Sequence, residues 1–167
     1  MDGSLAIVGY MGSGKTTLGR LLARALGCEL VDLDRAVVKR AGKEIPEIFA
    51  EHGEDHFREL EHEALLEALD GGAPRVVACG GGVVIRPENR ALLRDVTTIF
   101  LREDTDVLFS RTRGPGRPLR ATSREEFELR FGERLPLYRE VADCEVELDG
   151  RSSSRVAEEV LGCLSKP

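Results

Sequence analysis

Long hydrophobic runs are absent from this sequence, and its first residues predict no leader segment. No apolar stretch approaches the roughly 20 residues that a helix needs to cross a bilayer. After Met1 the chain enters a strand-like run at residues 5–8, without the basic region and cleavage site of a signal peptide. We therefore expect a protein of the cytoplasm that has no membrane partner.

An excess of basic charge is absent as well. The 30 acidic residues outnumber the 24 basic ones, so the formal net charge is -6. Because nucleic acids and other polyanions are bound mainly through lysine and arginine, this balance argues against a nucleic-acid partner. Arginines that cluster locally therefore require a local explanation.

Closely spaced cysteine pairs are also missing. Cys28, Cys79, Cys144 and Cys163 form neither a C-x-x-C pair nor the spacing of a zinc ribbon. This distribution predicts four reduced, mostly buried thiols rather than a disulfide framework or a structural zinc site.

Internal repeats and long linkers are absent too, so the 167 residues predict one domain spanning 1–167. Apolar runs of strand length occur at residues 5–8, 30–33, 75–78, 97–101 and 144–148, and stretches of helical period separate them. Most of these runs lack alternation of apolar and polar residues, which indicates strands covered on both faces. The β-α order predicts a three-layer α/β/α sandwich around a parallel sheet.

A glycine-rich motif follows the first strand. Residues 9–16 match G-x-x-x-x-G-K-[ST], and an amphipathic helix that ends near Gly27 follows them. In such a loop the backbone N–H groups surround phosphate oxygens, Lys15 reaches the β- and γ-phosphates, and the Thr16 hydroxyl binds Mg²⁺. The motif predicts a bound nucleoside triphosphate. GTPases, motor ATPases and small-molecule kinases share it, so the motif alone does not give the reaction.

Other polar residues stand where an α/β fold binds ligands. Asp32 and Asp34 at the end of the second strand suit one Mg²⁺-associated carboxylate and one that faces an acceptor hydroxyl, or one of them caps the next helix. Glycines 80–82 after the third strand indicate either a close approach to substrate or a flexible turn. Arg58 and Glu61 have the i, i+3 spacing of a surface ion pair.

Two segments do not fit a simple sandwich. Residues 34–61 are mostly helical and carry charges of both signs, and residues 112–122 are rich in Gly, Pro and Arg. The second predicts a mobile loop whose Arg117 can close over a nucleotide. Pro136 is expected to end or kink its helix just before Arg139, which reads as an ordinary surface residue.

The motifs and segments described above, taken together, resemble those of bacterial shikimate kinases in order and spacing over essentially the whole chain. The resemblance rests on the glycine-rich loop, Asp32-x-Asp34, and the segments 53–61, 80–82, 117–119 and 136–139. Two positions depart from the family pattern. Cys79 stands where Thr, Ser or Ala is more usual, and Arg120 stands where a second Leu is usual.

The resemblance implies a P-loop NTPase fold of the nucleoside monophosphate kinase type, with a five-stranded parallel sheet, a shikimate-binding subdomain at 34–61 and a lid at 112–122. It implies transfer of the γ-phosphoryl of ATP to the 3-hydroxyl of shikimate, giving shikimate 3-phosphate and ADP on the way to chorismate and the aromatic amino acids. Mg²⁺ is the implied cofactor, shikimate and ATP are the implied small-molecule partners, and a monomer is expected.

The resemblance also assigns the site residues. Lys15, Asp34 and Arg117 are implied to be catalytic. ATP is implied to bind Gly12, Ser13, Gly14, Lys15, Thr16, Thr17, Arg117 and Arg151. Shikimate is implied to bind Asp34, Arg58, Gly80, Gly81, Gly82 and Arg139, with Arg58 and Arg139 holding its carboxylate. Thr16 and Asp32 are implied to hold the metal.

Two rival functions differ in what they require. One is a related kinase for gluconate or a nucleoside monophosphate; the two candidate carboxylate arginines argue for an acid as acceptor, and the segments around Arg58 and residues 80–82 favour shikimate. A non-catalytic ATP sensor would be expected to lack Lys15, Thr16 or Asp34, and the sequence has all three. The enzyme is therefore the favoured interpretation.

Overall fold

A computed structural model describes residues 3–70, 72–112 and 123–164. Within these ranges the strands are β1 (Leu5–Gly9), β2 (Glu29–Asp32), β3 (Arg75–Ala78), β4 (Thr97–Arg102) and β5 (Cys144–Glu147). The helices are α1 (Lys15–Leu26), α2 (Leu33–Ala41), α3 (Ile45–Leu69), α4 (Pro87–Arg94), α5 (Thr105–Arg111), α6 (Arg124–Val141) and α7 (Ser153–Leu164), with a short 3-10 helix at Val83–Ile85.

The five strands form one parallel sheet in the order β2-β3-β1-β4-β5. This confirms the predicted α/β sandwich and its five-stranded sheet. Because β1 lies at the centre and all strands run the same way, the segments that follow β1, β2 and β3 meet at one edge of the sheet. The glycine-rich loop, Asp32 and glycines 80–82 therefore come together although they are far apart in sequence.

Both faces of the sheet are covered by helices. On β1, Ala6 and Val8 are fully buried in a core shared with residues of α2, α3, α4 and α6. Leu5 and Ile7 are fully buried in a second core shared with α1 and α7. Apolar residues are thus needed at successive positions, which explains why the strands show no polar alternation.

The segment at residues 34–61 is helical, as expected, and forms α2 and the first part of α3. Gly53 interrupts α3 with φ 80° and ψ 179°. That backbone conformation suits glycine, since L side chains rarely adopt positive φ. The bend separates the helix start at Ile45 from the turns that carry Arg58 and Glu61.

One local expectation is wrong, one is wrong in part, and one lies outside the described residues. Asp34 lies in the first turn of α2 rather than at the end of a strand. Pro136 does not end its helix, because α6 continues to Val141, so of the two expected effects of this proline the ending is contradicted. Of the expected lid at 112–122, the structure describes only Thr112, which ends α5, and Arg117 lies outside. Among the described residues, no helix has the length and apolar character required to span a membrane.

Candidate active site at the carboxyl edge of the sheet

The glycine-rich loop has the geometry of an anion cradle. Gly12 and Gly14 both adopt φ 84°, a left-handed conformation that favours glycine. Lys15 begins α1, and its Nζ donates to the Tyr10 carbonyl at 2.9 Å and to Ser13 Oγ at 3.4 Å. The ammonium is therefore folded over the loop at the positive end of the α1 dipole, where a phosphate is best stabilised.

Thr16 and Asp32 provide a pair of oxygen ligands beside this loop. Thr16 Oγ1 donates to Asp32 Oδ2 at 2.7 Å. Asp32 Oδ1 accepts from the backbone N–H of Arg35 at 3.2 Å, so Asp32 also caps α2. The Asp32 carboxylate can therefore cap α2 with one oxygen and still present the other for association with Mg²⁺. A hydroxyl and a carboxylate are hard oxygen donors of the kind that Mg²⁺ prefers, so the site fits that ion.

One cleft joins the loop to the rest of the site. It has a volume of about 320 Å³. Its lining consists of Met11, Gly12, Gly14, Lys15, Thr16, Thr17, Asp32, Asp34, Ala78, Cys79, Gly80, Gly81 and Arg111. Residues from each of the three assigned sets, for nucleotide, metal and acceptor, therefore face one space, whereas Arg58 and Gly82 do not line it. Ser13 is buried within the loop beneath it.

Two carboxylates lie over Gly80. A Cβ at this position would lie 2.8 Å from Glu61 Oε1 and 2.9 Å from Asp34 Oδ1, closer than real Cβ contacts. At Gly81 a Cβ would lie 3.2 Å from the backbone nitrogen of Met11. At Gly82 it would overlap the guanidinium nitrogens of Arg58. Each glycine thus allows a close approach, which favours the binding interpretation of this segment over a flexible turn.

Arg58 and Glu61 form a buried ion pair, so the expectation of a surface pair is wrong. Their side chains are 7% and 2% exposed, and Arg58 Nη1 lies 2.7 Å from Glu61 Oε2. Burial would lower the pKa of Arg58, but Glu61 and Glu54 outweigh it and raise that pKa. Burial raises the pKa of Glu61 and the negative charge of Asp34 adds to this, while Arg58 opposes both. Arg58 is therefore a buried cation held against Gly82.

The structure does not bring Arg139 to this site. Arg139 is exposed, and its Nε and Nη2 bind Glu145 at 2.8 and 3.0 Å. Arg134, five residues earlier on α6, lies there instead. Its Nη1 is 3.4 Å from the Gly81 carbonyl oxygen, and its guanidinium lies 5.3 Å from the centroid of the Tyr10 ring. Arg134 was missed by the sequence analysis.

A sequence signal for Arg134 does exist. Phe127, Phe131 and Tyr138 are buried and occupy one face of α6. Arg134 falls on that face at i+3 from Phe131 and i−4 from Tyr138, whereas Arg139 falls off it. Because α6 turns its apolar face toward the sheet, Arg134 on that face reaches Gly81. Arg139 lies off that face and does not.

Of two further arginines considered for the nucleotide, Arg111 lines the cleft and Arg151 does not. Arg111, which the sequence analysis did not single out, lines the cleft, with its Nη1 3.5 Å from the Gly12 carbonyl oxygen and 3.3 Å from buried Glu103 Oε2. Arg151 follows β5, where its Nε donates to the Leu148 carbonyl at 3.4 Å.

Comparisons with known proteins agree with this geometry. A family model described as shikimate kinase matches residues 11–165. Shikimate kinase of Psychrobacter sp. (strain PRwf-1) is 47% identical over 149 residues, which cover 86% of this chain and 82% of that protein. The structure of shikimate kinase from Acinetobacter baumannii in complex with shikimate is similar at a TM-score of 0.91 and 34% identity, covering 97% of this chain and 92% of that one.

A more distant neighbour shares only the fold. A gluconokinase from Sinorhizobium meliloti 1021 is 20% identical with a TM-score of 0.63, covering 98% of this chain and 91% of its own. The matching family model and the more similar relatives cover nearly the whole chain under one description. This chain belongs to the shikimate kinase family and is an ATP-dependent phosphotransferase.

Proposed function

We propose that the cleft at the carboxyl edge of the sheet holds MgATP at one end and shikimate at the other. Each residue of the cleft then has a separate role. Gly12, Ser13, Gly14 and Thr17 surround the phosphates, and Lys15 neutralises charge on the β- and γ-phosphates. In phosphoryl transfer the transition state is loose, so catalysis consists mainly of positioning and charge stabilisation. The folded-over position of Lys15 supports this role.

Asp34 is proposed to hold the acceptor hydroxyl. It lines the same cleft as Lys15, and its Oδ1 lies over Gly80 beside Glu61. As the 3-hydroxyl oxygen bonds to the γ-phosphorus and ADP leaves, the hydroxyl proton passes to the Asp34 carboxylate. Asp34 lines the cleft, whereas Glu61 is buried against Arg58, so Asp34 is the carboxylate better placed to serve the acceptor.

The carboxylate of shikimate is proposed to bind Arg58 and Arg134, not Arg139. A guanidinium carries five N–H donors, so Arg58 can bind Glu54 and Glu61 and still donate to a substrate carboxylate. Arg134 Nη1 lies 3.4 Å from the Gly81 carbonyl oxygen, beside Gly82 where Arg58 lies. Arg139 would have to leave Glu145 and cross to another face of α6. Glycines 80–82 provide backbone groups between the two arginines.

Mg²⁺ is proposed to bind Thr16 and, directly or through water, Asp32. The ion supplies charge neutralisation on the transferring phosphoryl group, and the hydrogen bond between the two residues holds their oxygens together. Arg111 and Arg151 are candidates for contacts with the nucleotide.

Two segments beyond the cleft are also proposed to serve the reaction. Residues 34–61 act as the acceptor-binding subdomain, and residues 112–122 with Arg117 act as a lid that completes the site. The enzyme works as a cytoplasmic monomer on the route to chorismate and the aromatic amino acids. Membership of the shikimate kinase family supports these proposals.

One observation carries the proposal: the phosphate-binding loop and the acceptor residues Asp34 and Gly80 line one cleft. The test is ADP release from ATP with shikimate, gluconate, AMP or quinate as acceptor, with Mg²⁺ and with excess chelator. Stimulation by shikimate alone, lost on chelation, is expected. If gluconate or AMP stimulates instead, the acceptor assignment is wrong although the nucleotide site stands. Equal release with chelator would refute the metal assignment.

A further inference from the structure

β5 and α7 place two cysteine thiols side by side, well apart from the cleft residues described above. Cys144 begins β5, Cys163 lies near the end of α7, and their Sγ atoms are 3.9 Å apart. Neither thiol has a part in the phosphoryl-transfer site. Of the four free thiols, only these two are in sulfur–sulfur contact within the part of the chain that the structure describes.

The surroundings hold the two thiols together and leave them reachable. Val146 of β5 and Val160 of α7 are buried in the same core, so the helix is packed against the strand. Arg151 forms an ion pair with Glu159 on α7 and bonds back to the Leu148 carbonyl. Cys163 is exposed and Cys144 is half-buried, whereas Cys79 is fully buried. A small reagent can therefore reach the pair.

We propose that Cys144 and Cys163 form an oxidisable dithiol that a peroxide converts to an intramolecular disulfide. The exposed Cys163 thiolate attacks one peroxide oxygen, the O–O bond breaks, and Cys163 becomes a sulfenic acid as hydroxide leaves. Cys144 then attacks the Cys163 sulfur and displaces hydroxide, which takes up a proton to become water. In sum, two thiols and one H₂O₂ give one disulfide and two waters.

The geometry requires only a local change. Sulfur atoms in a disulfide are about 2.05 Å apart, so the two atoms must approach by roughly 2 Å, which rotation of the exposed Cys163 side chain can supply. Burial raises the pKa of the Cys144 thiol, and the neighbouring Cys163 thiol and the charges of Glu159 and Asp143 add to this. Because Cys163 is exposed and Cys144 is half-buried, Cys163 is the first thiol to react and Cys144 the one that resolves the intermediate.

The disulfide would close the segment between β5 and the end of α7. It would restrict the unfolded chain, which stabilises the folded state, and it would pin α7 across the turn that contains Arg151. We expect the oxidised protein to melt at least about 5 °C above the reduced protein, and the shift to disappear after reduction with dithiothreitol.

The test treats the full-length protein with a small molar excess of hydrogen peroxide and counts free thiols. A fall from four to two is expected. Trypsin should then yield peptides 140–151 and 156–167 linked to each other under non-reducing conditions and separate after dithiothreitol. The Cys163→Ser variant should form no intramolecular link, and Cys28→Ser, which leaves the pair intact, should behave like the parent.

Three results would overturn the proposal. The first is a thiol count that stays at four under peroxide that oxidises a free cysteine standard. The second is a link that includes Cys28 or joins two chains rather than one. The third is a Cys163→Ser variant that still links Cys144 within the chain. Intact mass of the oxidised Cys144→Ala variant provides an independent check, since it should gain oxygen at Cys163 and form no intramolecular disulfide.

Discussion

Arg58 Nη1 lies 2.7 Å from Glu61 Oε2, and both side chains are almost completely buried. The pair lies against the glycines that follow β3, with Glu61 against Gly80 and Arg58 against Gly82. Removing a charge of either sign would leave the other uncompensated in a poorly solvated place, which costs far more than loss of a surface ion pair.

The Arg58→Ala substitution should therefore lower the free energy of unfolding by about 3–5 kcal/mol at pH 7. The matched control is Glu54→Gln, which removes the other, half-exposed partner of Arg58 and should cost about 1 kcal/mol or less. Urea denaturation of both variants measures the difference. Equal losses in the two variants would mean that the burial of the Arg58–Glu61 pair has no energetic consequence.

The same variant has an expected pH dependence. Burial already raises the pKa of Glu61, and loss of Arg58 would raise it further. A carboxyl group whose pKa is higher in the folded than in the unfolded state stabilises the fold at low pH and loses that contribution as pH rises. The difference in free energy of unfolding between the parent and Arg58→Ala should therefore be smaller near pH 4.5 than at pH 7. Urea denaturation at both pH values measures this difference.

Arg134 and Arg139 offer a direct comparison on one helix. Arg134→Ala should raise the KM for shikimate by about 10- to 100-fold with a small change in the KM for ATP, because a hydrogen bond to a charged group contributes about 1.5–3 kcal/mol. Arg139→Ala should leave the KM for shikimate within about 3-fold, since it removes only a surface pair with Glu145. Steady-state kinetics with each substrate varied in turn measure both effects. A large rise in the KM for shikimate in Arg139→Ala, without one in Arg134→Ala, would mean that Arg139 binds the carboxylate.

Gly80 should not tolerate even one methyl group. Gly80→Ala would press a Cβ against Glu61 and Asp34, so kcat/KM for shikimate should fall at least about 10-fold. Gly132→Ala is the control, because nothing lies within 4 Å of its Cβ position on α6. That variant should keep full activity and gain about 0.5–1 kcal/mol of stability. An active Gly80→Ala enzyme would show that this close approach is not required.

The departure from the family pattern at Cys79 gives a prediction at alkaline pH. Burial, with a contribution from the negative charge of Glu61, raises the pKa of the Cys79 thiol to about 12. Its folded pKa exceeds the unfolded value near 8.5, so its contribution to stability is complete below that value and declines as pH rises towards 12. Between pH 8 and pH 10 the parent should lose about 1–2 kcal/mol more stability than Cys79→Ala. Urea denaturation at both pH values measures this, and identical losses would indicate that Cys79 ionises freely in the folded protein.

The sequence by itself determined the features that depend on neighbouring residues. The loop at residues 9–16, the helix that follows it and the five apolar runs are local patterns with fixed spacing. The predicted strands therefore agree with the observed strands to within one or two residues at each end. The lack of polar alternation in them indicated a sheet covered on both faces. The order of elements then limited the fold to a parallel α/β sandwich, because crossovers in such sheets are right-handed.

Only the tertiary structure decided which charged side chains face the cleft. The i, i+3 spacing of Arg58 and Glu61 fits a surface pair or a buried one equally well, and the choice depends on how α3 packs beneath glycines 80–82. Arg134 and Arg139 both lie on α6, and the burial of Tyr138 beside them fixes which of the two turns inward. Spacing along a helix is local, but the direction of its faces is set by contacts between residues far apart in the chain.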